Sequence, residues 1–174
     1  MSIRLKRTFI LVVTALVIGY PAYQILTVMD QEEHREDAVL MLYQVSLFQM
    51  EMLRGALVDS ENARTTSDLE ALKQSLYSAG YVHERFRLAV GSGNLGKLDF
   101  PERMQQYILR IQIGGERKLE DRELQPFIET SKIYEGMFET YRQLMSSSKE
   151  VYRSQNERLQ ELDQELSNMF QEME

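Results

Sequence analysis

The residues best suited to chemistry in this chain are its two histidines, His34 and His83. Neither lies in the H-x-x-x-H or H-E-x-x-H spacing that holds zinc on a helix. His34 sits among carboxylates in the segment EEHREDA, whose negative field favours the protonated ring, so that a pH-sensing role is one option. The favoured interpretation is an ordinary solvated surface histidine. His83 lies beside Glu84 on the apolar side of a predicted helix, where packing as a buried polar contact competes with ligand binding.

A glycine-rich segment, GSGNLG at residues 91–96, matches the dinucleotide-binding pattern G-x-G-x-x-G. That pattern binds a pyrophosphate only between a strand and the N-terminus of a helix. Here it follows a predicted helix, and Asp99 caps the next helix three residues later. The segment is therefore predicted to be a loop in which Gly91 ends a helix.

Other catalytic and metal-binding patterns are weak. No serine lies in G-x-S-x-G, and the absence of cysteine excludes thiolate, disulfide, iron–sulfur and cysteine–zinc chemistry. The carboxylate runs are typical of solvated faces, and the ten methionines are interpreted as core residues rather than as a soft-metal site. The sequence predicts a non-enzymatic protein with no catalytic residue, metal or cofactor.

Charge is distributed unevenly along the 174 residues, whose net charge is −7. Arg4, Lys6 and Arg7 are three of the 20 basic residues, and no further charge occurs until Asp30. Residues 30–174 therefore carry 17 basic and 27 acidic residues. Such an acidic body repels phosphate backbones, so the sequence argues against nucleic-acid binding.

An uncharged segment of 22 residues, 8–29, separates these two regions. As a helix it would be about 33 Å long, which is enough to cross the hydrocarbon core of a bilayer. The sequence predicts a single transmembrane helix, with the basic residues 1–7 in the cytoplasm and residues 30–174 extracytoplasmic, in the periplasm or outside the cell. A cleaved signal peptide is the alternative.

The pattern beyond the membrane is helical throughout and predicts an all-α up-and-down bundle over residues 30–153. The first helix continues out of the membrane to about residue 59, and the second runs antiparallel to it from the capping box Ser67–Glu70 to Gly91. The predicted buried faces are Ala38, Met41, Leu42, Val45, Phe48, Met52, Leu53, Ala56 and Leu57 in the first helix and Leu69, Leu72, Leu76, Ala79, Phe86 and Val90 in the second.

A third, shorter helix is predicted after Asp99, with Met104, Tyr107, Ile108 and Ile111 on its inner side. A fourth is predicted to begin near Pro126 and to continue for about 48 residues, or about 72 Å. Its apolar spacing of four and three residues is typical of a coiled coil. The series is Phe127, Ser131, Tyr134, Phe138, Tyr141, Met145, Ser148, Tyr152, Gln155, Leu159, Leu162, Leu166, Met169 and Met173.

The last part of that helix, residues 154–174, is predicted to be an acidic coiled-coil extension, because the other helices are too short to cover it. Its apolar stripe is predicted to bind a protein partner or another copy of the chain. The alternative is that Ser146-Ser147-Ser148 bends the chain and the tail folds back on the bundle. The predicted partner-binding residues are Leu159, Leu162, Leu166, Met169, Phe170 and Met173.

The order of these parts resembles the extracytoplasmic four-helix-bundle sensor domains of chemoreceptors and of CHASE3-type histidine kinases. The resemblance covers residues 4–155 and includes an Arg-Gly step near the far end of the first helix, in Leu53-Arg54-Gly55-Ala56-Leu57-Val58-Asp59. It implies signal transduction by shifts of a bundle and a span. In that family a second span leads to a cytoplasmic output module, and neither occurs in these 174 residues.

Together these observations predict a membrane-anchored sensory or regulatory module. It would act by helix–helix contact with a protein partner or with itself, and a small-molecule ligand is a further option. The alternative is a structural adaptor of a cell-envelope complex, as in division, secretion or lysis.

Overall fold

A computed structural model describes residues 37–146 and 149–172 of the chain. In these ranges every regular element is helical, which confirms the predicted all-α class. Helix α1 covers residues 37–60, and a 3₁₀ turn, Thr66–Leu69, follows it. The remaining helices are α2 (Glu70–Val90), α3 (Phe100–Gln112), α4 (Asp121–Arg142) and α5 (Arg153–Gln171).

The helices pack side by side around one apolar core. Tyr43 near the start of α1 contacts Phe86 near the end of α2, with ring centroids 5.5 Å apart, so α1 and α2 are antiparallel as predicted. On its other side α1 contacts α4, where the Tyr134 hydroxyl donates to the Met50 carbonyl oxygen at 2.9 Å. Helix α3 packs between α2 and α5, and α5 packs between α3 and α4. The helices therefore follow the circular order α1, α2, α3, α5, α4.

The prediction of one long C-terminal helix is wrong, because the described residues 143–146 and 149–152 are not helical and separate α4 from α5. The Tyr152 amide donates to the Leu144 carbonyl oxygen at 2.8 Å, which reverses the chain direction. The hydroxyl oxygen of Ser146 accepts the Glu150 amide at 3.0 Å, a local bond that competes with helix continuation. The alternative in which the tail folds back on the bundle is confirmed.

Because α5 turns back, its apolar residues lie inside the bundle. Leu159, Leu162, Leu166 and Phe170 are buried, Met169 is partly buried against the same core, and Met173 lies outside the described residues. The prediction of an uncovered stripe on a separate extension, residues 154–174, is therefore wrong. Helices α3 and α4 of the same chain cover that stripe.

The buried face of α1 also differs from the prediction. Of the predicted positions, Leu53 and Leu57 are buried and Leu42 and Ala56 are partly buried, whereas Ala38, Met41, Val45, Phe48 and Met52 are exposed. The observed inner face keeps the same alternating spacing of four and three residues but is shifted by two positions. It consists of Val39, Tyr43, Ser46, Met50, Leu53, Leu57 and Ser60.

The predicted faces of α2 and α3 are confirmed. Leu69, Leu72, Leu76, Ala79, Phe86, Met104, Tyr107, Ile108 and Ile111 are buried, and Val90 is partly buried against the core. The predicted capping box is shifted: Asp68 accepts the Thr65 amide at 2.9 Å, which starts the 3₁₀ turn before α2.

The start of α4 is earlier than predicted, so Pro126 lies inside the helix. Glu123 fixes the start, because its carboxylate accepts the Glu120 amide at 2.9 Å and pairs with Arg117 at 2.7 Å. The hydrogen bond from Arg117 lowers the pKa of Glu123 to about 2.

The predicted transmembrane segment, residues 8–29, lies outside the described residues, as do residues 1–7, which are predicted to be cytoplasmic, and His34. Within 37–146 and 149–172, no helix combines the length and the apolar character that a membrane crossing needs.

Candidate interaction surface

An apolar strip remains exposed on the outside of α1. We call the residues Met41, Val45, Phe48, Met52 and Gly55 the outer face. The first four side chains are 62%, 48%, 57% and 51% exposed, and their spacing of four and three aligns them along the helix. Each lies two positions after a buried residue, which is about 200° around the helix axis. Helix α1 therefore carries apolar side chains on two opposite sides. Helices α2 and α4 cover one of these sides, and the other is exposed.

Charge is scarce around the outer face. Between residues 38 and 58 the charged side chains are Glu51 and Arg54. Arg54 donates to Glu135 of α4 at 3.2 Å and lies over the Phe138 ring at 5.0 Å. A methyl group on Gly55 would meet no atom within 4 Å, so another chain can approach closely there. Exposed apolar patches of this kind mark interaction sites.

The inner face of α1 takes part in a buried series of hydrogen bonds that links three helices. The Ser46 hydroxyl oxygen lies 2.5 Å from the Tyr141 hydroxyl, which lies 3.0 Å from Nδ1 of His83. The other ring nitrogen of His83, Nε2, lies 2.9 Å from the Gly96 carbonyl oxygen. All three side chains are buried. The series thus connects α1, α4 and α2 to the loop that follows α2.

The neutral form of His83 fits this series of hydrogen bonds. Because a carbonyl oxygen only accepts, Nε2 carries the proton and donates to Gly96, and Nδ1 accepts from Tyr141. Burial lowers the pKa of His83 to about 4, although its bond to the Gly96 carbonyl favours the charged form. The prediction that His83 is a buried polar contact is confirmed. Both of its ring nitrogens form hydrogen bonds with other residues of the protein.

The glycine-rich segment, residues 91–96, lies in the loop between α2 and α3, as predicted. Gly91 ends α2 with a positive φ of 94°, which favours glycine. Two side chains of α5 hold the loop: Asn156 accepts the Gly96 amide at 2.9 Å, and Gln160 donates to the Lys97 carbonyl oxygen at 3.1 Å. The Gly96 amide is therefore already used, and the segment does not open a helix as a pyrophosphate-binding loop does.

A third side chain of α5, Asp163, caps α3. Its carboxylate accepts the amides of Asp99 and Phe100 at 2.9 and 3.0 Å, although Asp99 itself stands at the N-cap position. Burial raises the pKa of Asp163, and the two amide bonds act in the opposite direction. The start of α3 therefore depends on a residue more than 60 positions later in the chain.

We expect Asp163→Ala to lower the free energy of unfolding of residues 37–174 by about 1–3 kcal/mol, because it leaves buried amides without a partner. Urea denaturation measures this loss. Gln164→Ala is the matched control, since Gln164 is exposed on the same helix and its removal should cost less than about 0.5 kcal/mol. Equal losses in the two variants would contradict the capping role.

The outer face is the feature that sequence reasoning misses. Its residues stand at helical spacing, and so do the residues of the inner face, so that the two series differ only by an offset of two positions. The available signal is the width of the apolar surface of α1, which exceeds what two neighbouring helices can cover.

A second exposed group lies on α2. Tyr77 and Tyr81 stack with ring centroids 6.3 Å apart, and the Arg85 guanidinium lies 4.8 Å from the centre of the Tyr81 ring. Beside them is an open groove of about 300 Å³, lined by Lys73, Gln74, Tyr77, Ser78 and Gln105. In the described part of the chain, no group of three or more histidines and carboxylates could hold a metal ion. The groove is the place where a small ligand would be sought.

Comparisons with protein-family models, curated proteins and solved structures found no match for this chain. The interpretation of the surface therefore depends on its own geometry and chemistry.

Proposed function

We propose that this protein is a non-enzymatic, membrane-anchored extracytoplasmic module that senses or regulates through helix–helix association between copies of the chain. The outer face of α1 carries this proposal, because it is an exposed, weakly charged apolar strip on a helix whose inner face is already buried. Covering the strip with another helix removes apolar surface from water, which is the main driving force for association.

The anchor in this proposal is the apolar segment 8–29, which precedes α1 in the sequence. Helix α1 is then the first described element after the anchor in the sequence, and its inner face lies in the core of the bundle. The Tyr43 hydroxyl donates to the Tyr141 carbonyl oxygen of α4 at 3.1 Å, and Ser46 contacts the Tyr141 hydroxyl. A displacement of α1 therefore acts directly on α4, and it acts on α2 both through the contact of Tyr43 with Phe86 and through His83. Such coupling supports a sensory role similar to that of the resembled receptor domains.

A structural adaptor of an envelope complex is the second candidate. The buried series of hydrogen bonds favours it, because Ser46, Tyr141 and His83 are bonded to one another and offer no free group to a ligand in the core. A sensor of small molecules should melt at a higher temperature when its ligand is added, whereas an adaptor should not respond. The groove beside Tyr77 is the place to monitor for such binding.

We expect Phe48→Glu to weaken the association between copies about tenfold or more, because the contact would have to desolvate a carboxylate. Bundle stability should change little, since Phe48 is 57% exposed in the single chain. Recovery of an untagged full-length copy with a tagged one from membranes measures the association. Tyr77→Glu is the matched control at another exposed aromatic residue. If both variants associate like the parent chain, α1 is not the contact.

A further inference from the structure

The outer face of α1 has the register of a two-stranded coiled coil. Val45 and Met52 occupy position a of the heptad, and Met41, Phe48 and Gly55 occupy position d. The flanking e and g positions decide whether two such helices repel each other. They hold Leu42, Gln49 and Ala56 at e and Gln44, Glu51 and Val58 at g. No two like charges face each other across a parallel seam of this sequence.

We infer that the outer face of α1 packs against the same face of a second copy, with the two helices parallel and in register. This inference rests on the proposed function and adds to it the contact residues and the orientation of the two helices. The contact is isologous, meaning that each residue of the seam meets its own counterpart across a two-fold axis.

Charge favours a second copy at this place. The chain carries a net charge of −7, so two copies repel each other over most of their surfaces. Between residues 38 and 58 the single acidic residue is Glu51, whose g position lies opposite Ala56 of the second copy. The outer face is thus a strip on which two acidic chains can meet without confronting carboxylates.

The parallel orientation is inferred from the proposed membrane anchor. If the segments 8–29 of two copies cross one bilayer in the same direction, a two-fold axis along the membrane normal relates the copies. Their confinement to one membrane also raises the effective concentration of the second copy. The seam from Met41 to Gly55 is only about 21 Å long. Such a short seam buries less accessible surface than the roughly 800 Å² per partner that an ordinary stable dimer buries. Association should therefore be strong for the anchored chain and weak for residues 37–174 alone.

Cysteine crosslinking tests this inference sharply, because the natural chain has no cysteine. Single substitutions Met41→Cys, Phe48→Cys and Gly55→Cys are introduced into the full-length chain in its native membrane and oxidised with copper phenanthroline. Position d residues face each other closely in a parallel coiled coil, so each variant should form a disulfide-linked dimer. The controls are Gln44→Cys at a g position of α1 and Tyr77→Cys on α2, whose yields should be about tenfold lower.

Each outcome decides between the orientations and partners. In an antiparallel pair centred on Phe48, two copies of residue 41 would be roughly 21 Å apart, so a dimer of Phe48→Cys without one of Met41→Cys overturns the parallel arrangement. A dimer that links through Tyr77→Cys instead overturns the seam but leaves the proposed function standing. If Phe48→Cys links only to a different protein, the second copy is the wrong occupant. A chain that is monomeric in the membrane and links nowhere overturns both proposals.

Discussion

Deletion of residues 154–174 is expected to abolish the cooperative unfolding transition of the bundle. The deletion removes the buried side chains of Leu159, Leu162, Leu166 and Phe170, each of which stabilises the fold by about 1.5–3 kcal/mol. Their sum is comparable to the total stability of about 5–15 kcal/mol that a domain of this size has. Circular dichroism during heating of residues 37–153 should show a gradual loss of helix, whereas residues 37–174 should unfold in one sharp step.

The deletion also removes acidic charge, and a substitution variant controls for that change. Glu157, Glu161 and Glu165 are exposed on α5, so their replacement with glutamine keeps the buried face intact. The exposed ion pairs that it removes contribute little, and its stability should stay within about 1 kcal/mol of the parent. A sharp transition that survives the deletion would show that the tail is an extension after all.

Lowering the pH from 7.5 to 5 is expected to reduce the free energy of unfolding by about 2 kcal/mol through His83. Burial lowers the pKa of His83 to about 4 from the ordinary 6.5. Between these values the unfolded chain binds a proton that the folded chain excludes. The contribution of His83 to stability is therefore complete above pH 6.5, decreases as the pH falls towards 4 and does not change further below that.

Two carboxylates define the useful pH window. The pKa of Asp163 is raised by burial, so Asp163 has the opposite sign and favours the folded state as the pH falls. The pKa of Glu123 is lowered to about 2 by Arg117, so its stabilising contribution is lost only below the ordinary pKa of 4.5. A measurement between pH 7.5 and 5 therefore stays above the range in which the contribution of Glu123 to stability is lost. The opposing effect of Asp163 on the free energy of unfolding still has to be subtracted.

The variant His83→Gln performs that subtraction. Glutamine keeps a donor and an acceptor but does not titrate, so the difference in pH slope between parent and variant belongs to His83. Urea denaturation at a series of pH values gives these slopes. Identical slopes for His83→Gln and the parent chain would contradict the assignment.

Sequence patterns identify the helices well where one face is apolar and the other polar. Helix α2 is such a case: Leu72, Leu76 and Ala79 are buried as predicted, and the exposed aromatic residues Tyr77 and Tyr81 on the other side carry polar hydroxyl groups. Helix α1 has two series of similar hydrophobicity on opposite sides. Contacts far away in the sequence choose between them, because Tyr43 and Ser46 find hydrogen-bond partners on α4.

The C-terminal part of the chain is a second case in which the sequence pattern does not decide the structure. A heptad series from Phe127 to Met173 is compatible with one long helix and equally with two helices that pack against each other. The decision depends on a turn in which Ser146 and Leu144 bond to residues a few positions later. Within the bundle, folding back buries the apolar side of α5, and the extended arrangement would leave it in water.

The sequence by itself determined that this chain is helical and where α2 and α3 begin and end to within about a turn. These properties depend on the local spacing of apolar residues and on the residues that form turns and helix caps, and both can be read directly from the sequence. Only the tertiary structure decided which side of α1 and which side of α5 are covered. Burial is a property of the neighbours that a helix finds, and helices with apolar residues on more than one side leave that choice to the rest of the fold.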